Sequence, residues 1–155
     1  DGTNVAMSVA VKTADKKIFV ETIDCQSVRN GSRWIVEYLK CMAPARIVID
    51  GANGQKLLAD ELKRRKIKGI VLPTVKEVIV ANTSFESGLF TGSICHMGQP
   101  SVKQAASNCE KRAIGSNGGF GYRSQKEGVE IAILDSIILA HWACSKSRER
   151  RKQKI

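Results

Sequence analysis

The sequence predicts an α/β domain whose mixed β-sheet is flanked by helices on both faces. Three patterns lead to this fold class: two alternating strand segments near the start, a strand–helix–strand segment in the middle and a long apolar helix near the end. A chain of 155 residues is long enough to bury a full core. We expect one domain at residues 1–144 and a basic tail at residues 145–155.

The first two strands are predicted to form an antiparallel hairpin. Asn4–Lys12 alternates valine or methionine with small residues, and a short polar turn leads to a second strand at residues 18–23. A helix capped by Asn30 or Ser32 should then run to about Met42, where Pro44 ends it. Its inward face is predicted to consist of Ile35, Tyr38, Leu39 and Met42.

The middle of the chain predicts a βαβ unit. Residues 46–50 form a short apolar strand, a helix follows at residues 55–66 with Leu58 and Leu62 inward, and residues 69–72 form the next strand. Strands joined in this way lie parallel, and ligands bind at their carboxyl ends, where Asp50 stands. Asp50 alone is equally compatible with an Asp-Gly turn at a strand end.

Two more helices are predicted at Val75–Phe90 and at residues 101–110. Between them lies His96, which is either structural or a DNA contact. The glycine-rich residues 115–121 lack a following helix start, so a hairpin bend is favoured over a phosphate-binding loop.

The last predicted helix, at residues 129–144, is apolar around most of its circumference and has a single carboxylate, Asp135, inside it. A buried carboxylate needs a cation, a hydrogen-bond partner or a metal, so we expect Asp135 to face other acids across the sheet. The alternative places Asp135 in the first turn, near the positive end of the helix dipole. Glu130 is the better first-turn acid, which favours the first interpretation.

Charge points to a polyanionic partner. The chain has 25 Lys and Arg against 15 Asp and Glu, for a net charge of +10. No apolar run is long enough to span a membrane, which makes nucleic acid the favoured partner. The five cysteines have no CxxC spacing and are expected to be reduced and mostly buried. The start at Asp1 without a methionine suggests a fragment of a longer protein.

Four segments, taken in order, resemble a known family: IVIDGANG, ICHMGQPSVKQAA, GGFGYRS and ILDSIILAHWA. Together they resemble the nuclease domain of the large terminase subunit of tailed bacteriophages, which has a ribonuclease H-like fold. No GxxxxGK[ST], HExxH or GxSxG motif suggests another enzyme class.

The resemblance implies a metal-dependent endonuclease that cuts concatemeric double-stranded DNA with two Mg²⁺ or Mn²⁺ ions. By position in the motifs, the resemblance implies that Asp50 and Asp135 are metal ligands and that Asp1 is the ligand nearest the start of the chain. Glu130 would either take the place of Asp135 as a ligand or assist it. The resemblance also implies an N-terminal ATPase domain, a portal protein and a small terminase subunit as partners, and the cytoplasm of the host cell as location.

Two groups of basic residues are candidates for contact with DNA. Lys111, Arg112 and Arg123 flank the glycine bend and are expected, with His96, to contact DNA phosphates. For residues 63–68 a solvated helix face is favoured over DNA contact. Two alternative functions stay open: another ribonuclease H-like nuclease, of junction-resolvase type, or a DNA-binding module of this fold that does not cut.

Overall fold

The structure is a computed structural model, and it describes residues 3–51 and 54–147. In chain order its elements are β1 (Asn4–Lys12), β2 (Ile18–Ser27), α1 (Arg33–Met42), β3 (Ile47–Val48), α2 (Gln55–Arg64), β4 (Ile70–Val71), α3 (Val75–Phe90), β5 (Ile94–Cys95), α4 (Pro100–Ser107), β6 (Cys109–Ile114), β7 (Gly119–Ser124) and α5 (Ala132–Lys146). The domain is therefore a mixed α/β protein, as predicted.

Three predicted strand pairings are confirmed. β1 and β2 form an antiparallel hairpin, β3 and β4 lie parallel with Ile47 opposite Ile70, and β6 and β7 form a second antiparallel hairpin around the glycine-rich bend. The prediction of one mixed sheet is not met within residues 3–51 and 54–147. Their backbone ladders form three separate sheets, of order β1-β2-β5, β3-β4 and β6-β7, because β3, β4 and β5 are only two residues long.

Helices pack on both faces of the first hairpin. The alternation of β1 places Val5 and Met7 against a core cluster that contains residues of α1, β3 and α2. Ala10 packs on the opposite side, in the cluster built around α5. The residues of β1 on that side are small, so α5 can lie close to the strand.

Helix α5 is the centre of the larger core. Ile137 and Ile138 are fully buried, and Trp142 and Leu134 are nearly so, as the apolar pattern predicts. The sequence does not single out His141, which is 4% exposed and packs edge-on against Phe85 of α3. This helix begins at Ala132, three residues later than predicted, and continues to Lys146, into the segment expected to be a tail.

Other predicted boundaries and faces differ in detail. Met42 is 59% exposed, so the buried face of α1 consists of Ile35, Val36 and Leu39 instead. Ser32 occupies the N-cap position of α1, but its hydroxyl donates to Glu61 Oε2 at 2.6 Å and does not cap the helix. α2 and α4 each end earlier than predicted, and β2 runs four residues longer.

The cysteines form no disulfide, and none of the five is fully buried: Cys41 is exposed and the others are half-buried. The prediction of mostly buried cysteines is therefore wrong. Among the described residues, no helix is both long and apolar enough to cross a bilayer.

Gln99 attaches the start of α4 to the first sheet. Its Oε1 accepts from the Thr22 backbone N–H at 2.8 Å, and its Nε2 donates to the Thr22 carbonyl at 2.9 Å. The side-chain amide thus continues the parallel pairing of β5 along the edge of β2. Pro100 then occupies the first turn of α4, where its missing N–H costs nothing.

Candidate active site

Asp50 and Asp135 line the same cleft. The cleft has a volume of about 360 Å³, including the solvent at its open mouth. Its lining residues are Asp50, Val78, Asn82, Arg112, Ile114, Gly121, Tyr122, Asp135, Ile138 and Leu139. Residues of β3, α3, the second hairpin and α5 therefore meet at one place, with acids on two sides and a guanidinium beside them.

Asp50 stands at the carboxyl end of β3, as the βαβ pattern predicts. The next residue, Gly51, has φ +132°, a conformation that glycine adopts without steric cost. Gln55, at the start of α2, turns back and donates its Nε2 to the Ile49 carbonyl at 3.0 Å. This bond ties the strand end to the helix start on either side of Asp50.

Asp135 lies in the first turn of α5. The alternative that placed it at the positive end of the helix dipole is therefore correct about its position in the helix. The favoured expectation that Asp135 faces another acid does not conflict with this position, because Asp50 lines the same cleft. Ser136, the next residue, donates its hydroxyl to Ser8 Oγ at 2.8 Å, and Ser8 is 3.2 Å from Thr22 Oγ1. These contacts fix the first turn of α5 on the first sheet, so the position of Asp135 is tied to β1 and β2.

The environment of Asp135 favours its protonated form. Burial, followed by the charge of Asp50, raises its pKa from 3.8 to about 7, and Glu130 adds to the rise while Arg112 opposes it. The side chain of Asp135 is nevertheless exposed, so the prediction of a buried carboxylate is wrong and water offsets part of the desolvation. The direction is the one expected for a carboxylate among acids without a cation, but desolvation contributes more than repulsion.

Arg112 reaches the cleft because the second hairpin packs closely on α3. A Cβ at Gly119 would lie 2.5 Å from Ile79 Cδ1, and one at Gly121 would lie 3.7 Å from Asn82 Nδ2. The glycines of this segment therefore serve a turn and a close contact, as the preferred hairpin interpretation requires. The Arg112 Nε donates to the Tyr122 carbonyl at 3.3 Å, which holds the start of its guanidinium group along the hairpin.

Glu130 and His96 do not line this cleft. Glu130 accepts from Asn4 Nδ2 at 2.9 Å and from the Ala132 N–H at 2.8 Å, so it connects β1 to the start of α5. His96 is exposed, and its Nδ1 accepts from the Gly98 N–H at 3.0 Å. Asp1, the predicted first metal ligand, lies outside the described residues.

Two predicted phosphate contacts are engaged in surface ion pairs. Lys111 Nζ is 2.6 Å from Glu86 Oε1 and 4.2 Å from the centre of the Phe120 ring. Arg123 Nε is 2.6 Å from Glu110 Oε1. Exposed pairs of this kind are weak, about 0–1 kcal/mol, so they do not prevent either cation from contacting a phosphate.

Asn82 and Tyr122 are cleft residues that the sequence analysis did not identify. Asn82 is 3% exposed, and its Nδ2 donates to the Val78 carbonyl at 2.9 Å, which leaves the amide oxygen as its remaining acceptor. The signal for Asn82 was a polar amide within the apolar stretch VIVANTSF on α3. Burial raises the pKa of Tyr122, so it is a neutral phenol at physiological pH.

The chemistry of the donors fits a hard divalent cation, since Asp50, Asp135 and the amide oxygen of Asn82 are all oxygen ligands. Residues 3–51 and 54–147 contain no group of three or more His, Cys, Asp or Glu close enough to hold a metal ion. Two carboxylates, an amide and water ligands are consistent with the way Mg²⁺ is usually bound, through one or two carboxylates.

Comparisons with protein-family models, with curated proteins and with solved structures give no significant match to this chain.

Proposed function

We propose that this chain is the metal-dependent endonuclease domain of a terminase large subunit from a tailed bacteriophage, with a ribonuclease H-like fold. One observation supports this proposal most: Asp50 and Asp135, which stand far apart in the sequence, line a single cleft and interact electrostatically. A pair of carboxylates from a strand end and a late helix is the feature that the resemblance implies. The substrate is concatemeric double-stranded DNA, and the cofactor is Mg²⁺ or Mn²⁺.

In this proposal Asp50 and Asp135 hold the cations, with Asp1 as a further ligand. Divalent ions held there would supply activation of a water molecule and neutralisation of charge on the leaving oxygen of a phosphodiester. Arg112 contributes a fixed positive charge to the same cleft, where it can donate to a phosphate oxygen. Asp135 must give up its proton before it can bind a cation, so the pKa of about 7 makes the site sensitive to pH.

The test is cleavage of supercoiled plasmid DNA in Mn²⁺ by the wild-type chain and by isosteric variants. Asp50→Asn and Asp135→Asn should reduce cleavage to background because each removes a carboxylate from the cleft. Asp60→Asn is the matched control, since Asp60 is an exposed residue of α2 outside the cleft. Full activity in either cleft variant would reject the proposal.

A DNA-binding module that does not cut is the second candidate. It is favoured by the lack of a third His, Cys, Asp or Glu beside the two aspartates in the described part of the chain. Titration calorimetry with Mn²⁺ separates the two functions. Absence of a metal site at millimolar Mn²⁺, together with salt-sensitive DNA binding, would favour the module.

A further inference from the structure

We propose that a second surface of this domain binds the phosphate backbone of duplex DNA, away from the cleft. This surface, the α2 basic patch, consists of Lys63, Arg64, Arg65, Lys66 and Lys68. All five residues are exposed. In the part of the chain that the structure describes, the cations in side-chain ion pairs are Arg33, Lys111 and Arg123, so no patch cation forms a direct ion pair with a described acid.

The patch and the acids stand at opposite ends of the β3–β4 pair. Asp50 follows the carboxyl end of β3, whereas Lys68 precedes the amino end of β4, beside Ala45 in the parallel register. Ala45 lies five positions before Asp50, which corresponds to about 17 Å along an extended chain at ~3.3 Å per residue. None of the five patch residues lines the cleft, so the patch is a separate surface.

Lys66 adopts a backbone conformation that favours glycine. Its φ is +61°, and it follows the end of α2 in a Schellman turn: its N–H donates to the Lys63 carbonyl at 2.9 Å, and the Ile67 N–H donates to the Leu62 carbonyl at 3.0 Å. A non-glycine residue in this region carries backbone strain, which glycine would not. Glycine at position 66 would relieve the backbone strain but would remove a positive charge. The lysine retains that charge.

The turn also holds the patch in a defined geometry. Leu62 is fully buried and Ile67 packs on the same core cluster, so the two apolar residues that border the turn are anchored inward. The cations around them project from a fixed backbone. The cost of ordering them on a ligand is therefore limited to their side chains.

The chemistry of the patch fits nucleic acid better than a folded protein. All five patch residues are charged, and Ile67, which interrupts them in the sequence, packs on the core, so these positions offer cations and no apolar anchor. Protein interfaces generally have an apolar centre, whereas binding to a phosphate backbone needs only positive charge. The net charge of +10 is consistent with a polyanion as the ligand.

The experiment measures, by fluorescence anisotropy, the binding of a labelled 30-base-pair duplex, about three helical turns. The measurement is repeated over a series of salt concentrations. EDTA is present throughout, so that no divalent ion supports cleavage. Lys66→Gly should weaken binding and reduce the slope of log K against log salt by about 0.9, the value for one phosphate that is no longer neutralised. The same variant should melt at a higher temperature than the wild type, because glycine relieves the positive φ. A variant that had lost its fold could not show both weaker DNA binding and a higher melting temperature.

Lys16→Gly is the matched control. Lys16 also has a positive φ of 64° and loses the same charge, but it lies in the β1–β2 turn. That turn joins the ends of β1 and β2 that pack on the α5 cluster, away from the core cluster beneath the patch. Lys16→Gly should be stabilised in the same way and keep the slope of the wild type.

A fourfold variant extends the test: Lys63→Gln, Arg64→Gln, Arg65→Gln and Lys68→Gln, which should reduce the slope by about 0.9 for each phosphate that these cations neutralise in the wild type. The proposal would be overturned if the slope of log K against log salt were equal in Lys66→Gly and Lys16→Gly and unchanged in the fourfold variant. The remaining partner for the patch would then be an acidic protein surface. Because the measurement is made without cleavage, its outcome is independent of whether the cleft is a nuclease centre.

Discussion

The charge of Asp50 raises the pKa of Asp135 across the cleft that the two residues line. Asp50 lies two residues beyond β3 and Asp135 lies in the first turn of α5, so the packing of these two elements brings the two carboxylates to one cleft. Without a cation the arrangement costs free energy when both groups are ionised. Both the stability of the fold and its affinity for cations should therefore depend on pH.

Asp135→Asn should stabilise the fold at neutral and higher pH. The folded-state pKa of Asp135, about 7, lies above its ordinary value of 3.8. Its contribution to stability is therefore complete below pH 3.8 and is lost as the pH rises towards about 7. Asparagine has no such loss, so the difference in free energy of unfolding between variant and wild type should grow from pH 4 to pH 8. Urea denaturation across this range measures it, and a constant difference would contradict the prediction.

Mn²⁺ should stabilise the wild type more at pH 8 than at pH 5.5. Asp135 is protonated below a pKa of about 7, and a cation must displace that proton. We expect the rise in melting temperature on adding Mn²⁺ to be largest above pH 7 and to disappear in Asp135→Asn. Asp60→Asn should respond as the wild type does. Equal shifts at both pH values would show that Asp135 is not a ligand.

Arg112→Gln should move the pH dependence of Mn²⁺ binding upwards. The Arg112 guanidinium lowers the pKa of Asp135, so its removal should raise that pKa further. If the cleft binds DNA phosphate through Arg112, plasmid cleavage should also fall by roughly tenfold to a hundredfold, since a charged hydrogen bond contributes about 1.5–3 kcal/mol.

Arg123→Gln is the control for Arg112→Gln. Arg123 is on the same hairpin and pairs with Glu110 at the surface, outside the cleft. It should leave the pH midpoint of Mn²⁺ binding unchanged. A shift of the same size in both variants would mean that general surface charge, and not Arg112, acts on Asp135.

His141 should make the fold sensitive to acid. Burial lowers the pKa of His141 below its ordinary 6.5, and its Nδ1 has no hydrogen-bond partner among residues 3–51 and 54–147. Stability from the neutral ring is therefore complete above pH 6.5 and is lost as the pH falls below that value. His141→Leu should reduce this loss, whereas His96→Leu, at an exposed position, should not. Denaturation curves at pH 7 and pH 5 test the pair, with Asp135→Asn as background to remove the opposing titration of Asp135.

Gln99→Leu should destabilise the domain by about 1–3 kcal/mol, the cost of leaving a buried backbone group without a partner. The variant removes both hydrogen bonds to the Thr22 backbone, and Thr22 is 8% exposed. Gln104→Leu, at an exposed position on α4, should cost little. Equal unfolding midpoints for the two variants would contradict a structural role for Gln99.

Local sequence patterns were sufficient to predict most helices and strands. They were not sufficient to predict how these elements pack against one another. The alternation of Asn4–Lys12 and the span of Val75–Phe90 match the structure residue for residue, because side-chain periodicity is a local property of the backbone. Asn82 and His141 were missed as buried polar residues, since burial depends on which other elements pack on them. The extent of ladder pairing between β1-β2-β5 and β3-β4 was likewise overestimated.

The sequence by itself determined the α/β class, the parallel pairing of β3 with β4 and the location of Asp50 at a strand end. Only the tertiary structure decided that Asp135 lies in the first turn of α5 and still shares a cleft with Asp50 and Arg112, and that Glu130 binds Asn4 and the α5 backbone instead. The physical reason is that hydrogen bonding and periodicity act between near neighbours in the chain, whereas electrostatic coupling and burial act between groups that only folding brings together.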